Sequence, residues 1–558
     1  MTSGAAGSGP ADDGEPGATA RSGTGSGERR AAAAGALLVL AVGLAATGSV
    51  QSPFLTPRAA VLLLATGPGL VLLVRRAWAR DRAAILAVAF LAAAGISTVL
   101  ADQPALAFFG RENEATGWLF LAALVAMWAI GSGLRRPAAR HALEGALLAV
   151  VMTNAAVGML QYRGAGLGRD NVLLASVDGR SVGLVGNAAL FGPLVAVGAY
   201  LLVRAAARHG RVSVLTALGA VLIGAAIDAS GSRIGIGIAL LGLGLAARTD
   251  LRRAVAVGVF VIIGFATVSI AVPGSANAAA RAGASSATSD VRLDVWGAGV
   301  EALGARPLLG WGPNQFLDAT SNRMTDAVAA SNDRNGSFTD AHDTVVEVGV
   351  DTGVLGLGLA VAFVVFAARR ARGTLAVAAV LLALPMLLEP WSFVLAPLAL
   401  LALGAAGPDE DPRRLPRPAV VLAGVLLVVG ALAGGRLLLG DAALRDATTD
   451  LDPTAARTAI ALLPPWAEPE LAALRAWSWR AIDTGSASDW SRALAAGARA
   501  TQLDPANPRV WNALAGLEAS RGDTDAARAH YQTALTRDPH NRVARAGLKK
   551  LDAAASGP

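Results

Sequence analysis

Apolar residues along this chain gather into runs of about 17–22 positions, divided by short stretches rich in arginine, glycine and proline. At a helical rise of about 1.5 Å per residue, such a run crosses a hydrocarbon core roughly 30 Å thick. The pattern predicts thirteen membrane helices, at about 31–50, 59–74, 83–100, 117–134, 141–160, 183–203, 212–228, 232–247, 254–272, 345–368, 374–388, 391–406 and 418–435. The expected fold class is all-α: a polytopic membrane bundle of about 12–13 helices with a short helical solenoid behind it. The spans at 59–74, 232–247 and 374–388 are short.

Arginine placement orients the bundle. With the N-terminus in the cytosol, inside segments carry 22 arginines, among them Arg75, Arg76, Arg135, Arg136, Arg204, Arg208, Arg252, Arg253, Arg369 and Arg370. The short outside loops carry six: Arg58, Arg111, Arg163, Arg169, Arg180 and Arg233. Anionic lipid and the membrane potential favour that asymmetry. It puts the long loop 273–344 and everything after about 436 outside.

Residues 1–30, mostly Gly, Ser, Ala and Pro, lack the apolar content for a core and are expected to be disordered. Residues 31–435 form the membrane domain, with a linker at 407–417. Residues 436–558 carry a repeat. Trp477 and Trp511, Ala493 and Ala527, Ala500 and Ala534, and Pro505 and Pro539 are each 34 residues apart, the tetratricopeptide period. Small alanines let paired helices pack closely and proline ends the second helix. A degenerate helix ending at Pro464–Pro465 precedes them.

Composition narrows the chemistry. Of 558 residues 54% are apolar and 16% charged, and mean hydropathy is +0.50; a soluble chain of this length would carry more charge. The net charge of +7 sits in clusters between apolar runs, without the basic stripe or aromatic platform of a nucleic-acid binder. There is no cysteine, which removes disulfides, thiolate metal sites and thiol nucleophiles. Neither an H-E-x-x-H nor a P-loop spacing occurs. Asp409/Asp411 and Asp450/Asp452 formally match Asp-x-Asp, but lie in the linker and just past the last membrane helix; chance explains them, and no catalytic metal or cofactor is expected. The Ala-, Arg- and Gly-rich, lysine-poor usage suggests a bacterial source.

Ionisable side chains beside membrane helices are costly and point to function. Ser230-Gly231-Ser232-Arg233 opens a helix on the outer side, where Arg233 is either functional or snorkels to the headgroups. Ser289 to Trp296, followed by Val300 and Leu303, reads as an amphipathic helix on the membrane surface, with Ser289 as its cap and Trp296, Val300 and Leu303 on one face. Arg292 lies one turn before Trp296. A Gly/Pro-dense stretch, Pro307 to Phe316, follows. His342, beside Asp343 and near Glu347, stands at the outer mouth of the tenth helix.

In this order the pieces resemble the O-antigen ligase and polymerase superfamily of bacterial envelope enzymes. Five stretches carry the likeness: Gly110 to Gly117, Arg180 to Asn187, Gly231 to Arg233, Arg292 to Trp296 with Pro307 to Phe316, and His342 to Gly356. It covers roughly 35–405, with the ligase-like region at about 183–405, and some members carry C-terminal tetratricopeptide extensions. The sequence departs from the family where Asp343 replaces the usual Asn and where Ala188 and Ala189 follow Asn187.

The resemblance implies transfer of a glycan from undecaprenyl diphosphate to an acceptor hydroxyl at the outer face of the cytoplasmic membrane, without metal or nucleotide. His342 would be the base or orienting group, with Asp343 or Glu347 fixing its tautomer. Arg233 and Arg292, then Arg111 and Arg180, would neutralise the diphosphate; Asn187 and Trp296 would support the site. The partners implied are the lipid-linked glycan, an acceptor glycan, lipid or protein, the bilayer, and a protein on the repeat domain. A transporter or flippase, with Glu144 and Glu389 as its buried ionisable groups, is the second reading. A membrane-anchored repeat scaffold is the third.

Overall fold

The computed structural model describes residues 18–162, 172–271, 287–331, 337–408 and 415–555. The first part of the expected disordered tail lies outside them, as do Arg163, Arg169, Asp409 and Asp411.

The chain folds as helices throughout the described residues, with one isolated bridge, Val177 to Arg180. The membrane domain opens with α1 (Ala18–Leu44), which begins inside the stretch expected to be disordered. Next come α2 (Thr56–Trp78), α3 (Arg82–Leu100), a short α4 (Pro104–Phe109), α5 (Trp118–Ser132) and α6 (Pro137–Tyr162). They are followed by α7 (Ala188–Arg208), α8 (Val214–Ser230) and α9 (Arg233–Ala271). An extramembranous group, α10 (Ala287–Ala305), α11 (Phe316–Thr320) and α12 (Asp326–Ser331), precedes α13 (Thr344–Arg370), α14 (Thr374–Ala383), α15 (Leu395–Ala405) and α16 (Arg417–Thr449).

Each of the thirteen expected spans holds a helix. Among the described residues seven helices are long and apolar enough to cross a bilayer: α2, α3, α6, α7, α9, α13 and α16. The chain is therefore a multi-pass membrane protein. Two long rods are broken. Asp250 (φ −154°, ψ 77°) divides α9 into the two expected spans, its carboxylate accepting from the Arg253 amide. Gly353 (φ 67°, ψ −176°) divides α13, which the apolar pattern did not indicate. The span expected from 183 starts at Ala188, because Asn187 caps α7 by accepting from the Ala189 and Leu190 amides. The last span runs on to Thr449, out of the bundle and toward the repeat domain.

Packing follows small residues. α7 lies against α9, α8 against α9, α1 against α6, α5 against α15, and α2 against both α5 and α16. At the α8–α9 crossing a Cβ on Gly224 would come within 1.9 Å of the Val261 carbonyl oxygen, and one on Gly264 within 1.9 Å of that of Val221. Glycine there lets two backbones touch, as close helix pairs in lipid require. Val420, Val421, Val425, Val428 and Leu432 of α16 face outward uncovered, as a lipid-facing stripe does.

The loops gather at two ends. At one, Arg76 donates to the Ser132 carbonyl, Arg140 to that of Ala405, and Arg253 to that of Gly210. The other end holds the segments before α2, between α3 and α5, before α7, around α10 to α12, and before α15, and on it sits the repeat domain.

That domain comprises α17 (Pro453–Leu462), α18 (Ala467–Thr484), α19 (Ala487–Leu503), α20 (Pro508–Ser520), α21 (Thr524–Arg537) and α22 (Arg542–Ala555). Ala493, Ala500, Ala527 and Ala534 are fully buried where paired helices meet, as the 34-residue spacing predicts. Each repeat closes on an Asp–Asn pair: Asn507 donates to Asp504 at 3.0 Å and Asn541 to Asp538 at 3.3 Å.

Candidate functional site

The break in α13 explains the Gly/Pro-dense stretch. Interrupting a helix strands carbonyls before the break and amides after it, and buried backbone groups need partners. The loop supplies them. Trp311 and Gly312 donate to the carbonyls of Val350 and Asp351 at 2.9 Å, and Val354 donates to the Pro307 carbonyl at 2.8 Å. The Asp351 carboxylate then accepts from the Asn314 amide at 3.1 Å. Asn314, fully buried, accepts from the Arg111 amide and donates to Thr116 and Glu114. Three of the motif stretches are thus tied into one frame.

Within this frame lies a polar cavity of about 280 Å³, whose lining includes Arg58, Asn113, Glu114, Asn187, Asp340 and Glu347. Pro390, Trp391, Ser392 and Phe393 close another side. Glu347 is 1% exposed, and its Oε2 has no hydrogen-bond partner among the described residues. Arg58, also buried, donates to the carbonyls of Val42, Phe54 and Leu184, so a guanidinium faces the cavity held by dipoles alone. Burial, and then the charge of Asp340, pushes the Glu114 carboxyl up to about 7.

His342 stands beside the cavity with Nδ1 2.5 Å from Asp340 Oδ1. Its backbone is left-handed (φ 50°), and its amide donates to the same Asp340 oxygen at 2.8 Å. Phe338 meets the imidazole edge-on at 5.7 Å. Burial lowers the His342 pKa, but the close contact and charge of Asp340, together with the charge of Glu389, outweigh it and raise it above the ordinary value. Arg292 pairs with Glu389 at 2.9 Å. Burial raises the Glu389 pKa against the opposing pull of Arg292, His342 and Arg180.

The structure thus brings His342, Arg292 and Arg180 into one electrostatic neighbourhood, with Glu347 and Asn187 on the adjoining cavity wall. Arg180 donates to the Ser230 carbonyl at 2.8 Å, which sets it next to the turn that starts α9. Arg233 is exposed at that start. Trp296 donates to the Ala341 carbonyl at 3.0 Å and so steadies the backbone beside His342.

Several expectations are corrected. Arg111 is 4% exposed and spent on protein: it pairs with Asp318 and with Asp504 of the repeat domain and donates to the Asn314 carbonyl. It is a staple, with four of its five N–H donors committed to protein acceptors. Asp343 caps α13 by accepting from the Val345 and Val346 amides at 2.8 and 2.9 Å; the carboxylate on the imidazole is Asp340. The helix carrying Arg292 starts at Ala287, so Ser289 lies inside it. It buries Val295, Ala298 and Ala302 against Phe316, Ala341 and Val350, while Val300 is exposed. That face is a protein interface and not a membrane float. Glu144 is matched by Arg208 and Glu389 by Arg292, which leaves neither as a lone carboxylate for transport.

Asp340 escaped the sequence reading, while Glu389 entered it only as a transport group and Asn314 only as part of the Gly/Pro-dense stretch. Asp340 had a local signal, two residues before His342. Glu389 lies 97 residues from Arg292, and nothing in the pattern joins them.

Residues 218–361 match the family model described as O-antigen ligase, and residues 486–551 match a tetratricopeptide repeat model. No curated protein matches the chain. The first match contains Arg233, Arg292, Asp340, His342 and Glu347; Arg180, Asn187 and Glu389 lie outside it. This membrane protein therefore carries an O-antigen ligase domain within its helical bundle and a tetratricopeptide repeat at its C-terminal end.

Proposed function

We propose that the chain transfers a glycan from undecaprenyl diphosphate to an acceptor hydroxyl at the exoplasmic face of the bacterial cytoplasmic membrane. The observation that carries this reading is the meeting of Arg292, Arg180 and the Asp340–His342 pair beside one polar cavity. A diphosphate is already a competent leaving group and needs its developing charge neutralised, which guanidinium forks do with paired hydrogen bonds. Arg292 and Arg180 take that role, with exposed Arg233 reaching the outer oxygens.

In this mechanism the acceptor hydroxyl gives its proton to His342 Nε2 as its oxygen attacks the anomeric carbon. The bond from that carbon to the diphosphate oxygen breaks, the lipid diphosphate departs, and the anomeric configuration inverts. Asp340, on Nδ1, orients the ring and stabilises the imidazolium. Glu389 holds Arg292 in place until the donor competes for it.

An apolar cavity of about 390 Å³ adjoins the polar one across Phe393, lined by Leu62, Leu63, Leu119, Ala123, Leu437 and Trp466 among others. Its surface suits an isoprenoid chain. The arginine-rich loops of the opposite end fit a cytosolic face, which supports an outside position for the site and the repeat domain.

The test is transfer in proteoliposomes loaded with lipid-diphosphate-linked glycan. His342→Ala and Arg292→Ala are expected to lose at least about a hundredfold in rate. Because the chain has no cysteine, single cysteines at 233 and 292 can be labelled from either side in spheroplasts. Full transfer by both variants, or labelling from the cytosol alone, would overturn the proposal.

A further inference from the structure

A second polar cleft opens where the repeat domain meets the membrane domain. It encloses about 130 Å³, and its walls include Asn113, Glu114, Ser337, Thr339, Glu468 and Arg509. Asn113 and Glu114 also line the cavity beside His342, so the two spaces share a wall. Thr339 lines the cleft while the next residue, Asp340, lines the cavity. A molecule seated in the cleft therefore lies against the segment that carries Asp340 and His342.

Five separate parts of the chain build this space: the loop between α4 and α5, helix α11, the segment before α13, the start of α18, and the turn between α19 and α20. The repeat domain is fixed there by buried contacts. Asp504 pairs with Arg111 at 3.0 Å, and Trp466 donates to the Gly110 carbonyl at 2.6 Å. The cleft exists only because the domain is docked.

The lining chooses its ligand. Side-chain amides, hydroxyls and carboxylates alternate around the space, while Leu317 and Pro508 offer apolar contact. That mixture matches a sugar ring, with hydroxyls around its edge and C–H groups on its faces. By formal count the lining is acidic, and it carries excess negative charge above about pH 7, where Glu114 ionises. Arg111 is neutralised by Asp318 and Asp504, leaving Arg509 against Glu114 and Glu468, with buried Glu112 behind them. A phosphate-bearing polymer would meet carboxylates there.

We infer that this cleft is the acceptor subsite, that it takes a neutral or amino-bearing saccharide, and that the repeat domain supplies part of it. The inference rests on the glycan-transfer reading above. The acceptor's reacting hydroxyl extends past Glu114 and Asp340 to His342, while the donor diphosphate lies on the arginine side.

The test uses the full-length protein in nanodiscs and reads two ligands separately. Saturation-transfer NMR reports binding of maltotriose, chitosan trisaccharide or glucose 6-phosphate. Intrinsic tryptophan fluorescence reports undecaprenyl diphosphate. Wild type is expected to bind maltotriose or the chitosan trisaccharide in preference to glucose 6-phosphate. Arg509→Ala and Glu468→Gln are expected to weaken that binding about tenfold each, the effect of one charge-assisted hydrogen bond, with lipid diphosphate affinity unchanged. Ser337→Trp, which places an indole in the cleft from the segment before α13, is expected to abolish it, with the melting temperature measured alongside to confirm that the domain stays docked. Undiminished saccharide binding in all three variants, or preference for glucose 6-phosphate, overturns the inference while leaving the donor site standing. Undecaprenyl diphosphate binding that is absent from wild type, or indifferent to Arg292→Ala, overturns the donor reading and this inference with it.

Discussion

His342 owes its chemistry to Asp340 more than to its immediate neighbour Asp343. Because the imidazole pKa is raised, the ring stays protonated to higher pH than a free histidine, and a base must first lose that proton. The ascending limb of the pH–rate profile is therefore expected above the ordinary value of 6.5. Asp340→Asn removes the adjacent carboxylate charge that raises it, so the limb should move toward lower pH while the maximum rate falls; transfer rates measured from pH 5 to 9 check both. That His342 is a candidate was legible from its position at a helix mouth. Which carboxylate serves it was not, since Asp343 is spent on the amides of Val345 and Val346, a capping role that any Asp preceding a helix can fill. Arg111 shows the same limit. Its neighbours in sequence gave no hint of Asp318 or Asp504, more than 200 and almost 400 residues away, so a loop arginine read as a ligand contact when it is an internal tie.

At the scale of elements, the apolar runs indicated where helices lie, because burial in lipid demands length and composition above all. They said nothing of the break in α13, because Gly353 sits in an apolar run like any other glycine. Its left-handed backbone and the nearness of the Leu308 carbonyl, 2.3 Å from where a Cβ would stand, make it intolerant of a side chain. Gly353→Ala is expected to destabilise the protein by about 1–3 kcal/mol, seen as a lowered melting temperature in detergent. Helix α10 teaches a related lesson. Its polar residues suggested a surface helix, yet its small residues Ala298 and Ala302 are what let it press on α13 and α11. Trp296 joins that helix to the histidine segment. Trp296→Phe keeps the ring and loses the bond to Ala341, a cost of about 1 kcal/mol, and is expected to lower turnover several-fold while leaving the donor KM unchanged. A purely structural role would move stability alone.

Over the whole molecule, two modules legible as separate blocks of sequence turn out to share a buried interface. The 34-residue spacing identified the repeat, but its attachment depends on single side chains: Asp504, Trp466, and Asp441, whose carboxylate accepts from the Ser52 amide at 3.0 Å. Arg111→Ala is expected to strand two buried carboxylates at a cost of about 3–5 kcal/mol. Limited proteolysis in native membranes should then cleave ahead of α17 much faster than in wild type.

That attachment also bears on how deletion strains are read. Removing everything after α16 exposes the Gly110 carbonyl, deprives a sequestered guanidinium of one of its two counter-ions, and unsettles the loop that positions Asn314 and Glu114. A truncated protein that fails to make surface polysaccharide would therefore say nothing about lost recruitment of an outside protein, because the cut reaches into the frame of the candidate site itself.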